Sequence, residues 1–96
     1  MATKKISDDR ILTAAAKLAT AVGYRHLTRR DVAASAGVWP ATISQRWGTM
    51  PEFRSAVLRH AVARGMLIVV AQGLAARDPI ARRARPALRE AAKALL

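Results

Sequence analysis

The most informative absences in this chain of 96 residues are those of cysteine, of acidic side chains and of catalytic groupings. The lack of cysteine excludes disulfides and thiolate metal sites. The six acidic residues form no carboxylate pair at a useful spacing, and no nucleophile has a base nearby. His26 and His60 have no chelating partner, so we interpret them as a loop residue and a helix-surface residue. We therefore expect that the protein is not an enzyme and that it binds no metal and no cofactor.

Long apolar runs are missing as well. The longest uninterrupted apolar stretch covers residues 66–71, which is far short of the roughly 20 residues that a membrane-spanning helix needs. The N-terminus, MATKKISDDR, has no apolar segment of the kind found in secretion signals. From these two observations we expect a cytoplasmic protein with no membrane partner.

Basic side chains, in contrast, are abundant. Seventeen lysines and arginines against six acidic residues give a formal net charge of +11. Such an excess favours a polyanionic partner, with nucleic acid first and an anionic membrane surface second. Because 52% of the residues are hydrophobic, the chain can bury a core and is not a solvated basic tail. Its length allows one small domain with little room for a deep ligand pocket.

Signals for helix starts and stops recur along the chain and predict an all-α fold. The segment DDRILTAAAKLATAVG has apolar residues at three- and four-residue steps, between a cap at Ser7 and a stop at Gly23. A short second helix is predicted from a cap at Thr28 to a stop at Gly37. Both helices therefore have bounds that local signals define.

Three further helices are predicted without an intervening linker. Pro40 suits the first turn of a helix over residues 40–47, because it has no N–H to lose and its φ is already helical. A cap at Thr49 starts a fourth helix of about 25 residues, since no proline interrupts it before Pro79. The helical tail beyond that proline is interrupted at Pro86, so we expect a kinked or two-piece C-terminal helix.

Two short helices joined by a tight turn that contains glycine, and flanked by longer helices, are typical of a helix-turn-helix. We predict a homeodomain-like three-helix DNA-binding domain over residues 1–50, followed by a long fourth helix and a kinked C-terminal helix over residues 51–96. We expect the C-terminal segment to be too short to bury all of the apolar run MLIVVA. A second copy of the chain could bury the rest, so residues 51–96 are the predicted dimerisation region.

The segment RILTAAAKLATAVGYRHLTRRDVAASAGVWPATISQRWGTMPEFRSAV resembles the N-terminal DNA-binding domain of the tetracycline-repressor (TetR) family. It shares that family's IL.AA..L pattern in the opening helix and its DVA..AGV turn. The resemblance implies that residues 31–35 lie in the support helix, that Gly37 makes the turn and that residues 40–47 form the recognition helix. It also implies that the second, effector-binding domain of the family is missing here, so we expect no small-molecule effector pocket.

A recognition helix offers its N-terminal residues and its outward face to base edges in the major groove. We expect base contacts from five residues: Pro40, Ala41, Thr42, Gln45 and Arg46. Gln45 can bond adenine, Arg46 can bond guanine, and the methyl group of Ala41 suits the methyl group of thymine. Ile43 and Trp47 lie four residues apart and suit the inward side of the helix.

Contacts with phosphates fix the position of a protein on the duplex. We expect them from six residues: Thr28, Arg29, Trp39, Ser44, Lys4 and Lys5. Trp39 stands where the family has a small capping residue and cannot cap the helix, at a cost of roughly 1 kcal/mol. A tryptophan packed on Pro40 and on the first helix explains this residue as well as a wedge against DNA does. Ser44 stands where the family has a phosphate-binding tyrosine.

These features predict a regulator of transcription that binds double-stranded DNA sequence-specifically, as a homodimeric repressor on a palindromic operator at the bacterial nucleoid. A second hypothesis keeps the fold but makes the chain a truncated partner, which forms heterodimers with a full-length regulator and modulates it. A third hypothesis, a cationic amphipathic membrane binder, is suggested only by residues 80–96.

Overall fold

The structure, a computed structural model, describes residues 6–96, and the regular structure in this range is entirely helical. The helices are α1 (Asp8–Val22), α2 (Arg29–Ala36), α3 (Pro40–Trp47), α4 (Met50–Arg64), α5 (Leu67–Ala75), α6 (Pro79–Arg82) and α7 (Pro86–Lys93). A 3₁₀ turn (Tyr24–His26), which the sequence did not predict, joins α1 to α2. The predicted all-α class is confirmed. Within the described range, no helix is both long and apolar enough for a membrane span.

Polar side chains begin the helices where the sequence predicts them. The hydroxyls of Ser7, Thr28 and Thr49 each accept a hydrogen bond from the backbone N–H three residues further on, at 3.2–3.3 Å. The carboxylate of Asp78 accepts from the N–H of Ile80 at 2.9 Å and starts α6. These bonds satisfy N–H groups that the first turn of a helix leaves without an intrahelical partner.

The predicted fourth helix of about 25 residues is wrong, because the chain forms two helices that meet at Gly65. This glycine adopts a left-handed backbone with φ of 67° and ends α4. The N–H of Met66 then bonds the carbonyl of Ala61 at 2.9 Å, which is the closing bond of a Schellman-type helix end. As a result, α5 packs against α4 instead of extending it.

One hydrophobic core extends through the described part of the chain. Fully buried side chains come from successive elements, among them Ile11 of α1, Ile43 of α3, Phe53 of α4 and Val69 of α5. The core is continuous across residues 50 and 51, the boundary predicted between a DNA-binding part and a dimerisation part. That division by function stays a prediction.

The second half of the apolar run at residues 66–71 is buried within the domain. Val69 and Val70 are fully buried and Ala71 is 5% exposed, since α6 and α7 pack on α5. As expected, the C-terminal segment does not cover the whole run, since Met66 and Leu67 are only half-buried. Ile68 is 49% exposed. The predicted break at Pro86 is confirmed, because α6 and α7 are separate helices.

Gln72 fastens α5 to the N-terminal half of the molecule. Its side-chain nitrogen donates to the carbonyl of Ala19, and its side-chain oxygen accepts from the N–H of Tyr24, both at 2.8 Å. The hydroxyl of Tyr24 donates to the carboxylate of Asp78 at 3.1 Å. Burial, together with this hydrogen bond, raises the pKa of Tyr24 to about 12. These contacts fix the C-terminal helices relative to α1.

Candidate nucleic-acid interface

The turn between α2 and α3 depends on Gly37. This residue has a left-handed backbone with φ of 75°, a conformation that glycine adopts without steric cost. The N–H groups of Gly37 and Val38 both bond the carbonyl of Ala33, at 2.9 and 3.0 Å. Only three residues therefore separate α2 from α3, and the two helices pack against each other as in a helix-turn-helix.

The inward side of α3 anchors this helix to the core. Ile43 is fully buried, and the ring of Trp47 meets the ring of Phe53 edge-on, with centroids 5.0 Å apart and an interplanar angle of 69°. Edge-to-face pairs of this kind are favourable beyond the area that they bury. The predicted inward placement of Ile43 and Trp47 is confirmed, so the support for α3 comes from α4 as well as from α2.

The exposed side chains of α3 and its cap lie mainly at the N-terminal end of the helix. Trp39 is 80% exposed, and Pro40, Ala41 and Gln45 are also exposed. Thr42 and Ser44 are half-buried. Such a large exposure leaves no room for packing of the Trp39 indole on α1, so that interpretation is wrong. Four of the predicted contact residues are thus exposed to solvent, three of them at the N-terminal end of α3 and Gln45 in its second half.

Arg46 lies against the domain, and its predicted position on the outward side of α3 is wrong. One terminal nitrogen of its guanidinium donates to the carboxylate of Asp8 at 2.9 Å and to the carbonyl of Ile6 at 2.5 Å. The side chain is only 15% exposed. Because Arg46 follows the buried Ile43 by three residues, the two share a face of the helix. A guanidinium held in this way is not offered to a guanine.

The candidates for phosphate contact occupy the start of α2. The exposed Thr28 caps this helix, whose free N–H groups and dipole favour an anion. Arg29 is half-buried, and its Nε finds no hydrogen-bond partner among residues 6–96. Arg30, the next residue, is exposed. Lys4 and Lys5, which were also predicted to contact the backbone, lie outside the described residues.

His60 is part of a polar junction between α1 and α4 and is not the helix-surface residue that the sequence predicted. Its side chain is 8% exposed, and its Nε2 lies 3.1 Å from the hydroxyl of Thr13. Its Nδ1 lies 3.9 Å from the carboxylate of Asp9, which also pairs with Arg64. Burial lowers the pKa of His60 below its usual value, although Asp9 opposes the shift.

No group of three or more histidine or acidic side chains that could hold a metal ion occurs among residues 6–96. The described acidic side chains serve the fold instead. Asp8 and Asp9 bind arginines, and Asp78 caps a helix. The expected absence of a cofactor, of an enzymatic activity and of an effector pocket stays a prediction.

Comparison with protein families shows which family shares this arrangement of helices. The model of the bacterial regulatory proteins of the tetR family matches residues 11–57. The match runs from the first buried residue of α1 into the middle of α4, and so contains the helix-turn-helix and its anchor. No curated protein and no solved structure matches the chain significantly.

Proposed function

Because the chain belongs to the tetR family of bacterial regulatory proteins, whose N-terminal domain binds DNA, we propose that it is a sequence-specific repressor of transcription. In this proposal α3 lies in the major groove of double-stranded DNA. The exposed N-terminal end of α3, presented on a helix whose opposite face is buried, is the observation that carries the proposal.

The major groove is wide enough for a helix, and its base edges carry a distinct pattern for each base pair. Ile43 and Trp47 pack the inward face of α3 against the core, so the helix can enter the groove without repacking of the core. Gln45 is exposed on the same helix and can bond adenine through both of its side-chain groups. We propose base contacts from four exposed or half-buried residues of α3: Pro40, Ala41, Thr42 and Gln45.

The start of α2 supplies the proposed phosphate contacts. In helix-turn-helix proteins the first helix of the motif crosses the DNA backbone. Thr28 and Arg29 stand at the N-terminus of α2, where a phosphate meets free N–H groups and a favourable dipole. Ser44 and the two lysines near the chain start complete the proposed set. Each phosphate contact steepens the dependence of log K on log salt by about −0.9.

We propose that two copies bind one operator. Two recognition helices about 34 Å apart fit successive major grooves, which requires a palindromic site. Two apolar side chains outside the DNA-facing end, Val22 of α1 and Ile68 of α5, are 47% and 49% exposed and support a contact between copies. A repressor of this kind acts on the chromosome, so we place it in the bacterial cytoplasm.

The test is selection of bound duplexes from a random pool by the purified chain, with its molecular mass measured in solution. A palindromic motif together with a dimer mass is the expected result. A monomer mass with a single half-site would contradict the dimer, and a pool without enriched sequences would contradict sequence-specific binding. Co-purification with a longer regulator, without enrichment by the chain alone, would favour the heterodimer hypothesis.

A further inference from the structure

The exposed end of the recognition helix is unusually apolar for a protein of formal net charge +11. Trp39, Pro40 and Ala41 follow one another there, and all three are exposed. Gln45 is the only exposed side chain of α3, which the structure describes in full, that can form hydrogen bonds. The helix therefore offers DNA an apolar N-terminal end and, one turn further along the face of Ala41, one strong hydrogen-bonding group.

The same helix lacks a free cationic side chain. Arg46 is its only arginine and it contains no lysine. The Arg46 guanidinium is bonded to Asp8 and to the carbonyl of Ile6. Contacts of arginine or lysine with O6 and N7 of guanine are the commonest specific contacts in the major groove. α3 as folded does not offer such a contact, so it has no strong means of selecting guanine.

We propose that α3 selects A·T base pairs, with Trp39 and Ala41 packing on thymine methyl groups and Gln45 bonding adenine. The thymine methyl is the distinctive apolar group on the base edges of the major groove, and adenine is the base that glutamine bonds bidentately. This inference rests on the proposed function, since it requires α3 to enter the groove. It adds the class of base pair that is read and makes Trp39 a specificity-determining residue.

A second observation indicates that Trp39 serves binding and not folding. It occupies the N-cap position of α3 with an extended backbone, at φ of −76° and ψ of 146°, and it makes no side-chain capping bond within the described structure. Serine at this position would cap the helix. The tryptophan therefore forgoes a stabilising contact and leaves four-fifths of its surface in water. Trp39→Ser should raise the thermal midpoint of unfolding and weaken DNA binding.

The direct test uses uracil, which pairs like thymine but lacks the methyl group. Each thymine in one half-site of the selected duplex is replaced in turn, and the Kd of the full chain is measured by fluorescence anisotropy. We expect one or two positions at which uracil weakens binding about fourfold, the effect of one buried methyl group. At the position that Trp39 contacts, Trp39→Ala should show the same Kd for uracil and thymine.

Matched controls separate this effect from general loss of binding. Uracil outside both half-sites should change nothing. Arg85→Ala removes an exposed charge at the start of α7, away from α3, and should keep the full uracil effect. Trp39→Phe should keep part of it, because a smaller aromatic ring still covers a methyl group. Unfolding curves for Trp39→Ala and Trp39→Ser establish that both variants are folded.

The possible results distinguish this inference from the proposed function. An enriched site that is rich in G·C pairs and insensitive to uracil would overturn the A·T reading while leaving sequence-specific binding intact. An unchanged uracil effect in Trp39→Ala would overturn the role of Trp39. The absence of any enriched site would instead contradict the proposed function on which the inference rests.

Discussion

The guanidinium of Arg46 lies 2.9 Å from the carboxylate of Asp8 and joins the last turn of α3 to the first turn of α1. The same guanidinium bonds the carbonyl of Ile6, so α3 is tied down at the end opposite its exposed tip. An exposed-looking arginine near the end of a proposed recognition helix is readily interpreted as a reader of bases. Here it fixes the position of α3 relative to α1.

Arg46→Ala should therefore lower the stability of the domain and leave its sequence preference unchanged. We expect the free energy of unfolding to fall by about 1 kcal/mol, since the bonds to Arg46 are charge-assisted but Asp8 is largely exposed to solvent. Urea unfolding followed by circular dichroism measures this change. Asp8→Asn is the control and should cost less, because the bond to Ile6 remains. Relaxed base preference at unchanged stability would contradict this assignment.

Gln72→Met should destabilise the protein through the loss of two hydrogen bonds. Methionine keeps the length of the side chain but leaves the N–H of Tyr24 without its partner, so we expect a loss of about 1–3 kcal/mol. The same substitution at the exposed Gln45 is a matched control and should change stability by less than about 0.5 kcal/mol. Equal unfolding curves for the two variants would show that Gln72 does not join α5 to α1.

His60 should make stability depend on pH on the acid side of neutrality. Its pKa is lowered in the folded state, so between that pKa and the unfolded value of about 6.5 the unfolded chain binds the additional proton. Stability is therefore fully present above about pH 6.5 and decreases as the pH falls through the folded pKa. His60→Gln should remove this decrease in urea unfolding between about pH 5 and pH 8, whereas His26→Gln should keep it. The same decrease in His60→Gln as in the native protein would exclude this role.

Tyr24 is the only tyrosine in the chain, so its ionisation can be followed directly by ultraviolet absorbance. Burial and the bond to Asp78 raise its pKa to about 12, against about 10 in an unfolded chain. Because the pKa is raised, the associated stability is present below about pH 10 and is lost as the pH rises further. Asp78→Asn should lower the native pKa, since burial remains but the negative charge is gone. A native pKa near 10 would show that the hydroxyl is not held in this way.

The helix starts and the bounds of α3 could be predicted from the sequence because their signals are local. Ser7, Thr28 and Thr49 each cap a helix through a backbone group three residues away. Pro40 and Gly48 bracket α3 in the same local manner. The inward side of α3 was also predictable, since the spacing of Ile43 and Trp47 places both on one face.

The remaining features depend on partners that are distant in the sequence. Gly65 ends α4, and α5 then packs against α4 and buries apolar surface there. A glycine within a helical pattern does not by itself reveal that the chain turns back at this point. The partner of Arg46 lies 38 residues away in the chain, at Asp8. Val69 and Val70 are buried on α5, a helix against which α4, α6 and α7 all pack. Helical spacing alone could not pair these groups.

The central claim is that the exposed side chains of α3 read base edges, and Gln45→Ala tests it most directly. The ratio of the Kd for a scrambled duplex to the Kd for the selected duplex is measured for the native chain and for this variant. We predict that the variant loses about 1–3 kcal/mol on the selected duplex and nothing on the scrambled one, so the ratio falls at least about fivefold. An equal loss on both duplexes, or none on either, would contradict the claim.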